Sequence, residues 1–273
     1  MAVHGRDREA DQVTGFVAAL GLFTVIPVPS VAEIDRRLAA RAMAAFPWVG
    51  LLVGAAAGAV LWLVTASGAG GLLGAALALA VAAGLTGALH LDGLADTADG
   101  LGSRKPAEAA LAIMRKSDIG PMGVAALSLG LLVDAAALTS LAERSGVLAA
   151  AALAVAAMAG RAVVTGATVS RDSARQQGFG ALFIGVTGPV TAAVTAAAGL
   201  VVAAGAGWLA GGVPGAATLA VAAAAAGAVG LLWARRLARR LGGMTGDVFG
   251  SVIEVTQATC LVASAVLAGV VGA

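Results

Sequence analysis

Three aspartates and a histidine are gathered in one short stretch of a chain that is otherwise poor in charge. Asp92, Asp96 and Asp99 are spaced i, i+4, i+7, and His90 begins the same run. On a helix this spacing places the three carboxylates on one face. Three bare anions so close together repel one another, so the face is expected to retain protons or to hold a divalent cation. Oxygen-only ligands favour Mg²⁺, with Mn²⁺ as the alternative.

The alternative interpretation of this stretch is a solvated acidic helix face. Gly93, Gly100 and Gly102 argue against it. A glycine inside a helix costs about 1 kcal/mol relative to alanine, and a solubilising face gains nothing from that cost. The pattern of acids and glycines therefore favours a cation-binding site over a solvated helix face.

Composition predicts where such a site must lie. Hydrophobic residues make up 60% of the 273 residues and charged residues only 12%, which is typical of a polytopic, all-α integral membrane protein. We treat residues 1–273 as a single membrane-embedded domain. The single cysteine, Cys260, excludes a disulfide framework and a zinc site built from cysteines. The basic residues are spread along the chain and not gathered in one patch, which argues against nucleic-acid binding. The protein is expected to be surrounded by membrane lipid, and the sequence leaves open whether it forms a homo-oligomer.

Seven segments are long and apolar enough to span a bilayer by the usual length of roughly 20 residues. They are predicted at 47–66, 72–89, 122–141, 147–168, 189–209, 214–234 and 248–271. The apolar run at 13–28 is shorter and is predicted to be an interfacial or re-entrant helix, with a short tilted span as the alternative. Residues 30–45 carry several charges and predict a surface helix that leads into the first span.

The basic residues indicate the orientation of these spans. With a cytoplasmic N-terminus, 15 of the 17 lysines and arginines fall on the inner side; only Arg144 falls outside, and Arg161 lies within the fourth span. This bias predicts a multi-pass protein of the bacterial cytoplasmic (inner) membrane with its N-terminus inside. The segments 90–121, 169–188 and 235–247 then share the cytoplasmic face, so the active site is predicted there.

The last predicted span begins with further candidate site residues. Asp247 follows the glycine-rich turn GGMTG, which ends at Gly246, and it could complete a metal site or act as a general base. Glu254 lies seven residues on, on the same helical face and within the membrane, where an acid is a candidate functional residue. A structural contact with a neighbouring helix is the alternative for Glu254. His90 is a second candidate base, although a lone histidine at a helix end is more often structural.

Basic and turn residues near the predicted site could bind phosphate. Charge-assisted hydrogen bonds to a diphosphate are expected from Arg104, Lys105, Arg171 and Arg175, the alternative being a purely topogenic role. Ser117 belongs to a turn before the third span whose backbone N–H groups could receive a phosphate.

Within the membrane, Arg161 and Asp134 lie at similar depths, and a buried ion pair between them is predicted. The alternative is that Arg161 binds phosphate.

Two family signatures overlap in the acidic stretch. Asp96, Asp99, Gly100, Ser103 and Arg104 form D-x-x-D-G-x-x-S-R, which resembles the first half of the signature of CDP-alcohol phosphotransferases. The second acidic pair of that signature does not follow downstream. A lipid synthase of this type is therefore one alternative function. A secondary transporter is another, but it is expected to place acids near the bilayer midplane in symmetry-related helices.

Over nearly the whole chain, the sequence resembles the cobalamin 5′-phosphate synthase family, the adenosylcobinamide-GDP ribazoletransferases. The resemblance is carried by FPWVG at 46–50, HLDGLADTADG at 90–100, ALAIMRKSDIGPMG at 110–123, the basic segment with Arg171 and Arg175, and GGMTGDVFGSVIE at 242–254. It implies a transferase whose small-molecule substrates are adenosylcobinamide-GDP and α-ribazole or its 5′-phosphate. The ribose 3′-hydroxyl would attack the phosphate next to cobinamide and release GMP. Asp92, Asp96 and Asp99 are assigned to the metal as a hypothesis.

Overall fold

Helices are the regular secondary structure of the described chain, which a computed structural model gives for residues 15–29, 34–169, 173–174 and 178–271. A short helix α1 covers residues 15–23. The other helices are α2 (Arg36–Ala66), α3 (Gly71–Thr86), α4 (Leu89–Gly102), α5 (Ala107–Ile113), α6 (Pro121–Arg144), α7 (Gly146–Ala167), a 3₁₀ turn (Phe179–Phe183), α8 (Pro189–Leu241) and α9 (Gly246–Val271). The predicted all-α architecture is confirmed.

Among the described residues, five helices are long and apolar enough to cross a membrane, and the bent pair α3–α4 would make a sixth. One of the five, α8, has 53 residues and is interrupted at Gly211 and Gly212, whose backbone angles are not helical. The backbones of Gly207 and Gly215 approach each other on either side of this break, so the chain reverses there. The two arms correspond to the predicted spans 189–209 and 214–234, and counting them separately gives seven candidate crossings in the described chain.

The beginning of the first span differs from the prediction. A single helix runs from Arg36 through Pro47 to Ala66, and Ala39, Ala42 and Met43 on its first part are buried. The predicted surface helix at 30–45 does lead into the span, but as one continuous helix whose first part is partly buried; residues 30–33 lie outside the described residues. Proline removes one backbone hydrogen bond from a helix, and packing of the flanking residues in the core compensates for that loss.

Small residues hold the bundle together, as the alanine- and glycine-rich composition suggests. Gly50, Gly54 and Gly58 on α2 form a stripe with a spacing of four that faces α7. A Cβ at Gly54 would lie only 2.7 Å from the backbone of Ala154. The two helices therefore pack backbone against backbone, with no room for a larger side chain on this stripe.

The segments that carry the polar residues lie at one end of the bundle. The N–H of Ala174 donates to the carbonyl of Met244 at 3.0 Å, and the N–H of Gly185 donates to Thr168 at 3.0 Å. The guanidinium of Arg240 donates to the carbonyl of Lys105. At the other end, Arg144 lies against Gly269. The prediction that three polar segments share one face agrees with these contacts.

Helix α1 is too short to span, since its nine residues at about 1.5 Å each cover less than half of a bilayer core. Its Ala18, Ala19 and Phe23 are buried in the same core as α2 and α7. Just after it, the N–H of Val25 donates to the carbonyl of Leu85 at 2.8 Å. These contacts agree with the prediction of a short N-terminal helix that does not cross.

Candidate active site

The acidic helix α4 owes its position to a sharp turn at the end of α3. Gly87 and Ala88 both adopt left-handed backbone angles, with φ of 59° and 57°. The axes of α3 and α4 are consequently bent by 91°. Left-handed angles are costly for alanine, so the surrounding packing must hold this turn. The bend directs α4 away from the axis of α3 and against α6 and α9.

Two glycines set the contact between α4 and the last helix, α9. A Cβ at Gly93 would lie 2.7 Å from the carbonyl oxygen of Asp247, and a Cβ at Gly250 would lie 2.8 Å from the carbonyl oxygen of His90. The helices therefore cross with their backbones in contact. This crossing brings the first turn of α4, with His90 and Asp92, beside the first turn of α9, with Asp247.

A cavity of about 310 Å³ opens at this crossing. Of the predicted site residues, His90, Asp92, Gly246 and Asp247 line it. Its other walls come from α1, α2, the 3₁₀ turn and the residues before it. Among them, Ser173 lies within the predicted basic segment, between Arg171 and Arg175 in sequence, and Gly178 and Gly180 follow that segment. The structure thus brings one acid of α4 and one acid of α9 to the wall of the same cavity.

The start of α9 is ordered by its own residues. The hydroxyl of Thr245 accepts a hydrogen bond from the N–H of Val248 at 3.2 Å, which is the contact of an N-terminal cap. The same hydroxyl lies 3.5 Å from a carboxylate oxygen of Asp247. A carboxylate in the first turn is also favoured by the helix dipole. Asp247 is therefore fixed on a rigid helix end at the edge of the cavity.

Two carboxylates at one cavity fit the requirements of Mg²⁺, which commonly takes one or two carboxylates and completes its shell with water and substrate phosphates. Within the described residues, no three side chains of histidine, cysteine, aspartate or glutamate converge as a ready-made metal site. Asp96 is half-buried one turn further along α4. Asp92 is therefore the acid of α4 best placed to hold a metal at the cavity, and Asp247 lies on the same wall, where it could act as a base or as a further ligand.

Asp99, the third acid of α4, makes structural contacts away from the cavity. Its carboxylate accepts hydrogen bonds from the N–H of Gly120 at 2.7 Å and from the N–H of Gly123 at 2.8 Å. These are backbone groups at the beginning of α6, so Asp99 caps that helix from a distance. Each oxygen keeps a further lone pair, and the prediction that Asp99 also binds the metal stays untested.

Replacing Asp99 by asparagine separates the two roles. Asparagine keeps one acceptor oxygen, but its amide nitrogen cannot accept from the second glycine N–H. A hydrogen bond to a charged group is worth about 1.5–3 kcal/mol, so we expect a lower melting temperature but the same Mg²⁺ concentration for half-maximal activity. The Mg²⁺ titration is compared with that of Asp92→Asn, for which the requirement should rise. A matching rise in Asp99→Asn would instead show that this carboxylate is a ligand.

A second, smaller cavity of about 30 Å³ lies inside the bundle and is lined by His90, Asp134, Arg161, Glu254 and Gln257 among others. Asp134 and Arg161 are only 3% exposed. Gln257 donates to Asp134 at 3.4 Å. The Oδ1 of Asp134, the Nε of Arg161 and the Nε2 of His90 are buried without a protein partner. The space is large enough for one or two waters to satisfy these atoms.

The predicted ion pair between Asp134 and Arg161 is not formed in the described chain. Arg161 donates to the carbonyl of Ala157 at 2.8 Å, and its guanidinium lies 5.7 Å from the ring centroid of Phe46. The carboxylate within electrostatic reach of Arg161 is that of Glu254 on α9. Arg161 and Glu254 line the inner cavity and not the larger one, so the structure separates them from Asp92 and Asp247.

The described members of the other predicted phosphate-binding residues do not line the larger cavity. Arg104, Lys105 and Ser117 are exposed on the same end of the bundle and do not line it. Arg171 and Arg175 lie outside the described residues. Their predicted roles are untested by these contacts.

Sequence reasoning missed the apolar part of the cavity. Phe23, Met43, Phe46, Phe249 and Ile253 all contribute to its wall. Phe46 and Phe249 lie in two of the sequence blocks that carry the family resemblance, at 46–50 and 242–254. Nothing in the sequence indicates that the two side chains face one cavity. Phe23 carried no signal at all, since it belongs to a short apolar run that reads as membrane helix.

Comparison with known proteins gives a consistent result over most of the chain. The profile of the family described as cobalamin-5-phosphate synthase matches residues 15–265. A relative from Frankia casuarinae, named adenosylcobinamide-GDP ribazoletransferase, is 41% identical over 260 residues, covering 90% of this chain and 92% of the relative. Relatives of the same name from Geotalea daltonii and Ralstonia nicotianae are 35% and 36% identical, covering 93% and 88% of this chain and 98% and 90% of their own lengths.

No solved structure matches the chain. The sequence comparisons nevertheless cover both acidic segments that meet at the larger cavity, at 90–100 and 242–254. By the extent of these matches, the chain belongs to the cobalamin-5-phosphate synthase family.

Proposed function

We propose that this chain is the membrane transferase that joins α-ribazole, or its 5′-phosphate, to adenosylcobinamide-GDP with release of GMP, a late step of cobalamin biosynthesis. The names of its relatives support this activity. The structural observation that carries the proposal is the meeting of Asp92 and Asp247, from helices far apart in sequence, at one cavity. Neither the lipid synthase nor the transporter alternative gains support from the family match.

The reaction needs a group that accepts a proton and a site that holds two phosphates. The ribose hydroxyl oxygen forms a bond to the phosphorus next to cobinamide, and the bond from that phosphorus to the bridging oxygen of GMP breaks. Asp247 takes the hydroxyl proton, since its carboxylate sits at the rigid start of α9 on the cavity wall. His90 is the second candidate for this role. GMP leaves with the bridging oxygen.

Asp92 and Asp96 are the residues that we propose to hold Mg²⁺, or Mn²⁺ in its place. Asp99 is a further candidate, and the Mg²⁺ titration of Asp99→Asn distinguishes that role from its contact with the start of α6. When bound, the metal neutralises charge on the phosphate oxygens. The exposed position of Asp92 on the cavity wall supports this assignment. Gly246 contributes a helix N-terminus, a backbone environment that suits an anionic phosphate.

The basic residues are proposed to bind the diphosphate and the leaving GMP. Arg171 and Arg175 belong to the segment whose neighbours Ser173 and Gly178 line the cavity. Arg104 and Lys105 lie on the same end of the bundle, near the end of α8. Ser117 is a weaker candidate on that face. We place this end of the bundle on the cytoplasmic side, where the excess of basic residues predicts it.

The activity itself is tested with detergent-solubilised protein, adenosylcobinamide-GDP and α-ribazole. GMP release is expected with Mg²⁺, should be lost after chelation with EDTA, and should return when Mg²⁺ or Mn²⁺ is added in excess. Both α-ribazole and its phosphate are supplied, and the ratio of their kcat/KM values identifies the preferred acceptor. No GMP from either acceptor, with CMP release from a CDP-alcohol lipid instead, would support the lipid synthase alternative.

A further inference from the structure

The wall of the larger cavity is divided into an apolar and a polar part. Phe23, Met43, Phe46 and Ile253 are at most 5% exposed, whereas Asp92 is exposed and Asp247 half-buried. Most of the buried side chains of the wall are therefore aromatic or aliphatic, with His90 and Thr245 as the buried polar ones, and the two carboxylates are the more exposed part of the wall. The cavity has an apolar floor and an acidic rim.

Aromatic residues are scarce in this chain, which makes their position informative. There are six phenylalanines and no tyrosine among the 273 residues. Within the part of the chain that the structure describes, Phe23, Phe46 and Phe249 line this cavity. The rings of Phe23 and Phe46 lie 4.1 Å apart between centroids with a tilt of 34°. Such a cluster offers flat, apolar surfaces on which another ring can stack.

The volume allows only one ring system with its sugar. About 310 Å³ lies at the lower end of the roughly 300–1,000 Å³ typical of small-molecule sites. A corrinoid cannot enter such a space. Two parts of the substrates are small enough, namely the guanosine end of adenosylcobinamide-GDP and α-ribazole.

Chemistry distinguishes these two occupants. Guanine has hydrogen-bond donors and acceptors along its edges, and burying them against phenylalanine, methionine and isoleucine would leave them unsatisfied at considerable cost. The base of α-ribazole is dimethylbenzimidazole, whose outer edge is methyl and C–H, and which keeps one unsubstituted ring nitrogen. His90 is a polar group on the same wall. The floor therefore suits dimethylbenzimidazole much better than guanine.

We infer that the floor formed by Phe23, Met43, Phe46, Phe249 and Ile253 binds the dimethylbenzimidazole ring of α-ribazole, and that the guanosine of the second substrate binds outside the cavity. This inference rests on the proposed function. A ring seated on the floor directs its ribose towards Asp92 and Asp247 at the rim. The attacking hydroxyl is then presented from the inside of the cavity to a diphosphate that lies across its mouth.

The test measures equilibrium binding of two probes, α-ribazole and GMP, to the solubilised protein. Phe249→Leu removes one ring from the floor, and we expect the Kd for α-ribazole to rise about tenfold, the effect of one lost aromatic contact. The Kd for GMP should stay within about twofold. Phe183→Leu is the matched control, because Phe183 is fully buried and packs on Phe23 with centroids 5.4 Å apart but does not line the cavity.

Ile253→Ala provides a second variant should Phe249→Leu fold poorly, and it should give the same pattern. A weakened GMP affinity with unchanged α-ribazole affinity would overturn the inference, as would no change in either affinity. GMP release by the unmodified protein is measured in parallel. If that activity is absent, the proposed function fails; if it is present and only the binding pattern differs, the assignment of the floor alone fails.

Discussion

Replacing Asp247 by asparagine is expected to lower the rate of GMP release about 10³-fold, within the range that a positioned general base contributes. The substitution keeps the size of the side chain and its place in the first turn of α9, but it removes the negative charge and the proton acceptor. Asp92→Asn is expected to reduce turnover as well and to raise the Mg²⁺ requirement. The rate is measured as GMP formed per folded protein, at saturating concentrations of both substrates.

Glu143→Gln is the matched control for these variants. It makes the same change from acid to amide at an exposed position near the end of α6, next to Arg144 and at the opposite end of the bundle. Its rate should equal that of the unmodified protein. Retention of more than a tenth of the activity by both Asp247→Asn and Asp92→Asn would mean that the cavity between α4 and α9 is not the reaction centre.

The sequence predicted most of the architecture because each crossing depends on local properties. The length of an apolar run decides whether it can span, and the break in α8 follows from consecutive glycines at 211 and 212. The spacing of Asp92, Asp96 and Asp99 likewise predicted a helix with one acidic face, which α4 confirms. These are properties of neighbouring residues and need no knowledge of the fold.

Contacts between distant segments could not be predicted in the same way. Asp99 was interpreted together with its neighbours on α4, yet both of its oxygens bind the backbone at Gly120 and Gly123. Arg161 and Asp134 were paired because counting residues places them at similar depths. The depth of a residue in the membrane does not determine the direction in which its side chain points. The guanidinium of Arg161 lies over the ring of Phe46, and the carboxylate within its electrostatic reach is that of Glu254. The aromatic floor was missed for the same reason.

The crossing of α4 and α9 is the distant contact on which the site depends most. Gly93 and Gly250 were visible in the sequence only as residues that weaken helices. In the structure their Cα atoms allow the two backbones to touch. Since this crossing places Asp92 beside Asp247, the glycines set the relative position of the two carboxylates on which the proposed function depends.

Gly250→Val is therefore expected to lower the rate of GMP release at least about 10²-fold, the cost of displacing reacting groups by roughly 1 Å. A Cβ at position 250 would lie 2.8 Å from the carbonyl oxygen of His90 and 3.0 Å from the Cα of Gly93. Both are backbone atoms, so the helices have to separate. The rate is measured together with the melting temperature, because overpacking also destabilises by about 1–3 kcal/mol.

Gly227→Val is the control for this substitution, since Gly227 lies in α8 and a Cβ there would meet nothing within 4 Å. Its activity should stay within about twofold of the unmodified protein, because a surface substitution away from packed contacts costs at most about 0.5 kcal/mol. Gly250→Ala supplies a smaller displacement if the valine variant does not fold, and its loss of activity should exceed what its change in melting temperature explains. Full activity in folded Gly250→Val would show that the site tolerates separation of α4 from α9, and that Asp92 and Asp247 do not act on the same phosphate.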